Sequence, residues 1–278
     1  MNLYRGMDRA ALDSAYDNSA AVTDSPAIIA GWNARSDRLA SERPQHLDLR
    51  YGQAERNRID YFAGAAGAPV LVFIHGGYWQ MRAKETFRFL AAGPLARGMH
   101  VAFVAYTLAP EKPLGGICAE VRAAVGWLAG RIAGLGGDPA RICLCGWSAG
   151  GHLTAMCLDE PAVRGGLAIS GIYDLEPIRL CYLNEKLGLD EAEARRLSPL
   201  HGPLLNLPPR SKPLIIAYGT GELPELQRQS EQFGAARQRA GLPGRIVPLP
   251  GRNHFSILED LARPDGALTA LACELAGE

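Results

Sequence analysis

The hydrophobic pattern along the chain changes character near residue 46. Residues 1–45 are rich in Ala, Asp, Ser and Arg, with helical patches around Asp8 to Tyr16 and Ile28 to Leu39 and no strand signal. They predict a helical N-terminal extension that could pack over the domain or over the mouth of a site. From His46 the period becomes two. His46-Leu47-Asp48-Leu49-Arg50-Tyr51 and Arg58-Ile59-Asp60-Tyr61-Phe62 alternate polar and apolar residues, as half-buried strands do, and read as an antiparallel lead-in pair. Pro69-Val70-Leu71-Val72-Phe73-Ile74 is then an unbroken apolar run, the pattern of a central strand covered on both faces, and it ends in the turn residues His75-Gly76-Gly77.

Strand and helix patterns alternate from there on. Helix is expected near Lys84 to Arg97, strand from His100 to Tyr106, helix from Ile117 to Ala133, strand from Arg141 to Gly146, helix from Ala149 to Leu158 and strand from Gly165 to Ser170. Residues 171–212 lack a clear strand and hold Pro177, Pro199, Pro203, Pro208 and Pro209. This stretch reads as a Pro-rich, lid-like insertion, partly helical around Asp190 to Leu197. The sheet resumes at Pro213 to Tyr218, then helix Pro224 to Ala240, strand Arg245 to Pro248 and a terminal helix after His254. The expected architecture is one α/β domain over 46–278, its mostly parallel sheet covered by helices on both faces through right-handed crossovers.

Composition narrows the class of partner. Lys plus Arg and Asp plus Glu both number 29, so the net charge is zero and nothing global draws the chain to nucleic acid or an anionic membrane. A small-molecule partner is expected, and the balanced charge is compatible with a homodimer. With 47% hydrophobic residues, 278 residues can bury a core without metals or disulfides. The start, Met1-Asn2-Leu3-Tyr4-Arg5-Gly6, has no apolar signal core, and no stretch reaches membrane-spanning length, so a soluble cytoplasmic protein is expected. The six cysteines are scattered through apolar runs without CxxC spacing; they read as reduced core residues, with Cys143 and Cys145 on one face of a strand.

Gly146-Trp147-Ser148-Ala149-Gly150 carries the chemistry. A GxSxG segment acquires meaning when it joins an apolar strand to a helix, because the sharp turn then projects the serine hydroxyl from the sheet; Ile142 to Cys145 and His152 to Leu158 supply both partners. Acyl transfer also needs N–H donors where the oxyanion forms, each worth on the order of 3 kcal/mol in the transition state. His75-Gly76-Gly77-Tyr78-Trp79, after the buried strand, is placed to supply them from Gly77, with Gly76 or Tyr78 nearby, alongside Ala149. A serine hydroxyl needs a base. Of six histidines, His254 lies in a loop after the last strand, where the order Ser, acid, His demands it. The acid belongs after the strand ending at Tyr218, in Gly219-Thr220-Gly221-Glu222-Leu223-Pro224-Glu225; Glu222 comes first and is favoured, while Glu225 opens a helix. Tyr78, Trp79, Trp147 and Tyr173 are candidate walls for a flat aromatic substrate.

Together these segments read as those of an α/β hydrolase with a serine nucleophile. His75-Gly76-Gly77-Tyr78-Trp79-Gln80, Ser148-Ala149-Gly150-Gly151-His152-Leu153, Glu222-Leu223-Pro224-Glu225-Leu226 with Arg228-Gln229-Ser230, and Asn253-His254-Phe255 resemble the kynurenine formamidase (arylformamidase) group. That group lies close to the hormone-sensitive-lipase-like esterases. The resemblance spans Val70 to Leu258 and implies hydrolysis of N-formylkynurenine or a related aryl formamide or ester, without metal or organic cofactor. The family usually has aspartate where this chain has Glu222, and often histidine where it has Trp147. A carboxylesterase on small aryl or short-acyl esters is the alternative activity. A hydrolase-fold binding protein without turnover is a third reading, against which the complete set of Ser148, His254 and an acid argues.

Overall fold

The computed structural model describes residues 3–202 and 212–277. The segment 203–211, with Pro203, Pro208 and Pro209 of the expected insertion, lies outside the described residues. The first helices are α1 (Arg9–Ala15), α2 (Asn18–Ala21) and α3 (Ser25–Glu42). The strands are β1 (Leu49–Arg50), β2 (Arg58–Phe62), β3 (Ala68–Ile74), β4 (His100–Val104), β5 (Gly137–Trp147), β6 (Val163–Ile169), β7 (Leu214–Gly219) and β8 (Gly244–Leu249). They form one eight-stranded sheet in the order β1-β2-β4-β3-β5-β6-β7-β8. β2 runs antiparallel to β1 and β4, and every pairing from β4 to β8 is parallel. This is the α/β-hydrolase fold.

From β3 the chain steps to β4 on one side and then crosses back to β5 on the other. The carboxyl ends of β3 and β5 therefore flank the point where the winding reverses, the crevice in which open α/β sheets bind ligands.

Side-chain alternation along β3 shows why its run is apolar throughout. Val70, Val72 and Ile74 belong to the core on one face, and Leu71 and Phe73 to the core on the other. The first face is covered by α5 (Leu114–Ala129) through Ile117, Val121, Val125 and Leu128, by α6 (Ala149–Met156), and by α10 (Pro224–Arg239) through Leu226 and Phe233. The short helices α7 (Glu176–Leu180), α8 (Asn184–Leu187) and α9 (Glu191–Leu197) also pack there. The second face takes Trp32 of α3, α11 (Glu259–Ala262) and α12 (Ala267–Ala276), and Cys143 and Cys145 both point into it.

The helix expected over Lys84 to Arg97 is instead a 3₁₀ segment, Lys84–Ala91, followed by α4 (Ala92–Ala96). Pro94 has no N–H to donate and its ring crowds the preceding turn, which interrupts regular α-helical bonding. The lead-in strand expected over His46 to Tyr51 shrinks to β1, because Asp48 takes a left-handed φ of 57° and ends the extended run.

That bend at Asp48 faces a buried ionic cluster. Lys84 Nζ lies 2.8 Å from Asp60 Oδ2, 2.7 Å from Asp48 Oδ1 and 2.6 Å from Glu85 Oε1, and Arg88 Nε lies 2.7 Å from Asp60 Oδ2. Asp60 and Lys84 are almost fully buried. Lys84→Met would leave Asp60 with Arg88 as its one cationic partner. Removing one side of a buried ion pair typically costs 3–5 kcal/mol, and the remaining arginine sets the expectation at the lower end, about 3 kcal/mol. The expected result is a lower urea midpoint with an unchanged m-value.

Candidate active site

The turn between β5 and α6 places Ser148 at φ 57° and ψ −119°, a sparsely populated conformation for a residue with a side chain. Two glycines make the turn possible by close approach. A Cβ on Gly146 would lie 2.1 Å from the Gly150 carbonyl oxygen, and one on Gly150 would lie 1.9 Å from that of Ile74. The Ser148 N–H donates to the Ile169 carbonyl at 2.8 Å, tying the turn to the end of β6. Ala149 opens α6, so its N–H has no acceptor within the helix.

The glycine loop after β3 lies against this turn. Gly76 packs on the Trp147 backbone and Ser148, and Gly77 and Tyr78 have left-handed φ of 108° and 49°. Gly77, Tyr78, Trp147, Ser148 and His254 line one small pocket together with Asn18, Ser19, Met81, Arg82 and Phe255.

His254 and Glu222 come together although 32 residues apart, with Nδ1 2.9 Å from Oε2 and both groups buried. Paired loop bonds bring them there. Gly221 N–H donates to the Arg252 carbonyl, Thr220 N–H to that of Leu249, and Gly251 N–H to Thr220 Oγ1. The other carboxylate oxygen of Glu222 accepts from Ser170 Oγ and from the Gly219 N–H, each at 2.6 Å. With Oε1 occupied by two donors, Oε2 is left for the imidazole. Asn253 shapes the histidine loop, its Oδ1 accepting from the N–H groups of Phe255 and Ser256.

The remaining histidines have other engagements. His75 Nδ1 is 2.8 Å from the Gly76 carbonyl, and His152 Nε2 is 2.8 Å from that of Leu197. Burial pushes the pKa of each down to about 4. Both nitrogens of His100 are engaged by backbone groups of Gly64 and Ala65. His46 packs edge-on against Tyr61, and His201 is largely exposed, with Nε2 3.5 Å from Asp174.

Glu225 faces the N-terminal arm. Its Oε2 accepts from Tyr16 Oη at 3.0 Å and from Arg228 at 2.6 Å. Gln229 Nε2 donates to the same Tyr16 oxygen, and Tyr4 Oη donates to Asp174. Glu225, Arg228 and Gln229 thus hold the arm down beside the pocket.

The four candidate aromatic walls separate. Tyr78 and Trp147 line the pocket. Trp79 and Tyr173 are fully buried outside it, Trp79 edge-on to His152 and Tyr173 stacked on Phe233 at 4.6 Å. They are core residues, packed in the same cluster as Val70, Val72 and Ile74. Trp147 has a second contact: its Nε1 donates to the His254 carbonyl at 2.8 Å and its ring centre lies 4.8 Å from the imidazole. Ser170 and Asn18 escaped the sequence reading, since an isolated polar residue at a strand end or in a helical arm carries no motif.

The pocket offers about 30 Å³, room for a water-sized group. A larger cleft of about 510 Å³, between Leu214, Arg237 and Arg245, lies at the opposite end of the sheet, where β7 and β8 begin. Among the described residues, no helix is long and apolar enough to cross a membrane.

Comparison with known proteins agrees with the fold. Residues 71–200 match a family model described as having the α/β-hydrolase fold. The chain is 31% identical to a kynurenine formamidase of Danio rerio over 264 residues, which span 91% of this chain and 89% of the relative. It is 32% identical to a kynurenine formamidase of Salmo salar, covering 84% of this chain and 82% of that one. A solved structure from Silicibacter sp. superposes with a TM-score of 0.82 at 29% identity, over 94% of this chain and 98% of the other. With that likeness spanning most of both chains, the chain belongs to the α/β-hydrolase superfamily, within the family of the kynurenine formamidases, and is a hydrolase.

Proposed function

We propose that the protein hydrolyses aryl formamides, with N-formylkynurenine as the leading candidate, through Ser148, His254 and Glu222. The observation that carries the reading is the buried 2.9 Å contact between His254 Nδ1 and Glu222 Oε2, beside a strained serine in the same pocket. The Glu222 carboxylate holds the proton on Nδ1 and leaves Nε2 free to take the Ser148 proton. Ser148 Oγ then bonds to the formyl carbon, and negative charge moves to its oxygen. The N–H groups of Ala149 and Gly77, with Gly76 and Tyr78 adjacent, stabilise that oxyanion. His254 returns the proton to the leaving nitrogen, the C–N bond breaks and the arylamine departs. Water, deprotonated by the same imidazole, cleaves the formyl ester and releases formate.

The pocket beside Ser148, about 30 Å³, is compatible with an acyl group as small as formyl. The kynurenine formamidase relatives support the aryl formamide. The same machinery would cleave short-acyl aryl esters, so the test compares kcat/KM for N-formylkynurenine with that for p-nitrophenyl acetate. Preference for the formamide is expected. Formamide turnover at the uncatalysed background, with the ester cleaved, would assign the protein as a carboxylesterase instead.

A further inference from the structure

Asn18 is the one residue of the N-terminal arm in this pocket whose polar side chain is buried and only half satisfied. It is 5% exposed, and its Oδ1 has no hydrogen-bond partner. Its orientation is set by a relay through Tyr78. Tyr78 Oη donates its single proton to the Tyr16 carbonyl at 2.6 Å, so that oxygen can only accept from Asn18, 2.8 Å away. The group facing Tyr78 must then be Nδ2, and the carboxamide oxygen is the end left over. The relay is anchored in turn, because Tyr16 is gripped by Glu225 and Gln229. A buried acceptor without a donor is unfavourable unless a ligand supplies one.

We infer that Asn18 is a specificity-determining residue, whose Oδ1 accepts a hydrogen bond from the N–H of a secondary amide substrate. The inference rests on the serine-hydrolase reading above. Asn18 and Ser148 line the same pocket, so a carbonyl carbon bound at Ser148 carries its attached nitrogen into the space that Asn18 borders. A formanilide N–H offers the donor that Oδ1 lacks. An ester of the same shape offers an oxygen there, a second acceptor facing the first. The site therefore discriminates by what its buried polar group is left to face.

The test measures kcat/KM for formanilide and for phenyl formate, in the wild type and in Asn18→Leu and Asn18→Asp. Both rates are taken on one preparation, so their ratio does not depend on the fraction of folded enzyme. The amide-to-ester ratio is expected to fall about tenfold in Asn18→Leu, the effect of one neutral hydrogen bond. In Asn18→Asp, which keeps an acceptor oxygen but obliges the Tyr78 O–H to turn from the Tyr16 carbonyl to the carboxylate, it is expected to lie between the Asn18→Leu and wild-type values. A ratio unchanged in Asn18→Leu overturns the role of Asn18 and leaves the serine-hydrolase reading intact. A wild type that cleaves neither compound and resists a fluorophosphonate probe overturns both.

Discussion

Ser148→Ala is expected to lower kcat for formamide and ester alike by about 10⁶-fold, the scale seen when a serine nucleophile is removed from a triad. It should also abolish labelling by a fluorophosphonate probe, which reacts with an activated serine whatever the substrate. The physical ground is local. The left-handed turn at Ser148 is strained, and the packing of Gly146, Gly150 and Ile74 around it imposes that conformation. Alanine has the same backbone preferences and fits the same turn, so the variant should fold. A wild type that labels and a variant that does not would remove the motive for a binding-only protein. Equal labelling of both would place the reactive group elsewhere.

Glu222→Gln should lower kcat by about 10⁴-fold, as neutralising the acid of such a triad does. A glutamine amide group facing Nδ1 would favour the imidazole tautomer with its proton on Nε2, which cannot accept from serine. Glu225→Gln is expected to leave kcat nearly unchanged. Its carboxylate faces Tyr16 and Arg228, and its loss loosens the arm without touching His254. The opposite pattern would move the acid to Glu225. The extra methylene of Glu222 relative to the family's usual aspartate is accommodated by Ser170 and the Gly219 N–H, which together hold Oε1.

The helix–strand order was legible because each central strand has both faces covered, which demands the unbroken apolar runs that begin at Val70, Val101 and Ile142. Ser148 and the glycine loop were legible for a related reason. Close backbone approach at a strand end requires glycine at set positions, and that requirement is written in consecutive residues. The boundaries near Pro94 and Asp48 were not, since they depend on competing local bonding rather than on periodicity. The aromatic candidates divided on the same ground: Tyr78 and Trp147 line the pocket, while Trp79 and Tyr173 fill the core, and aromatic identity alone does not distinguish a wall from a core.

What the sequence alone determined is the local part: an α/β sheet, a serine on a strand-to-helix turn, a histidine after the last strand and two candidate carboxylates. Tertiary structure alone turned Glu222 toward His254 and Glu225 toward Tyr16. It also laid the N-terminal arm over the site, bringing Asn18 to within 2.8 Å of Tyr78, and gave Trp147 the backbone of His254 to hold. The reason is range. Turn strain and strand burial act between neighbouring residues and select their types directly, whereas these contacts join segments tens to hundreds of residues apart and arise only once the sheet has set the positions of its loops.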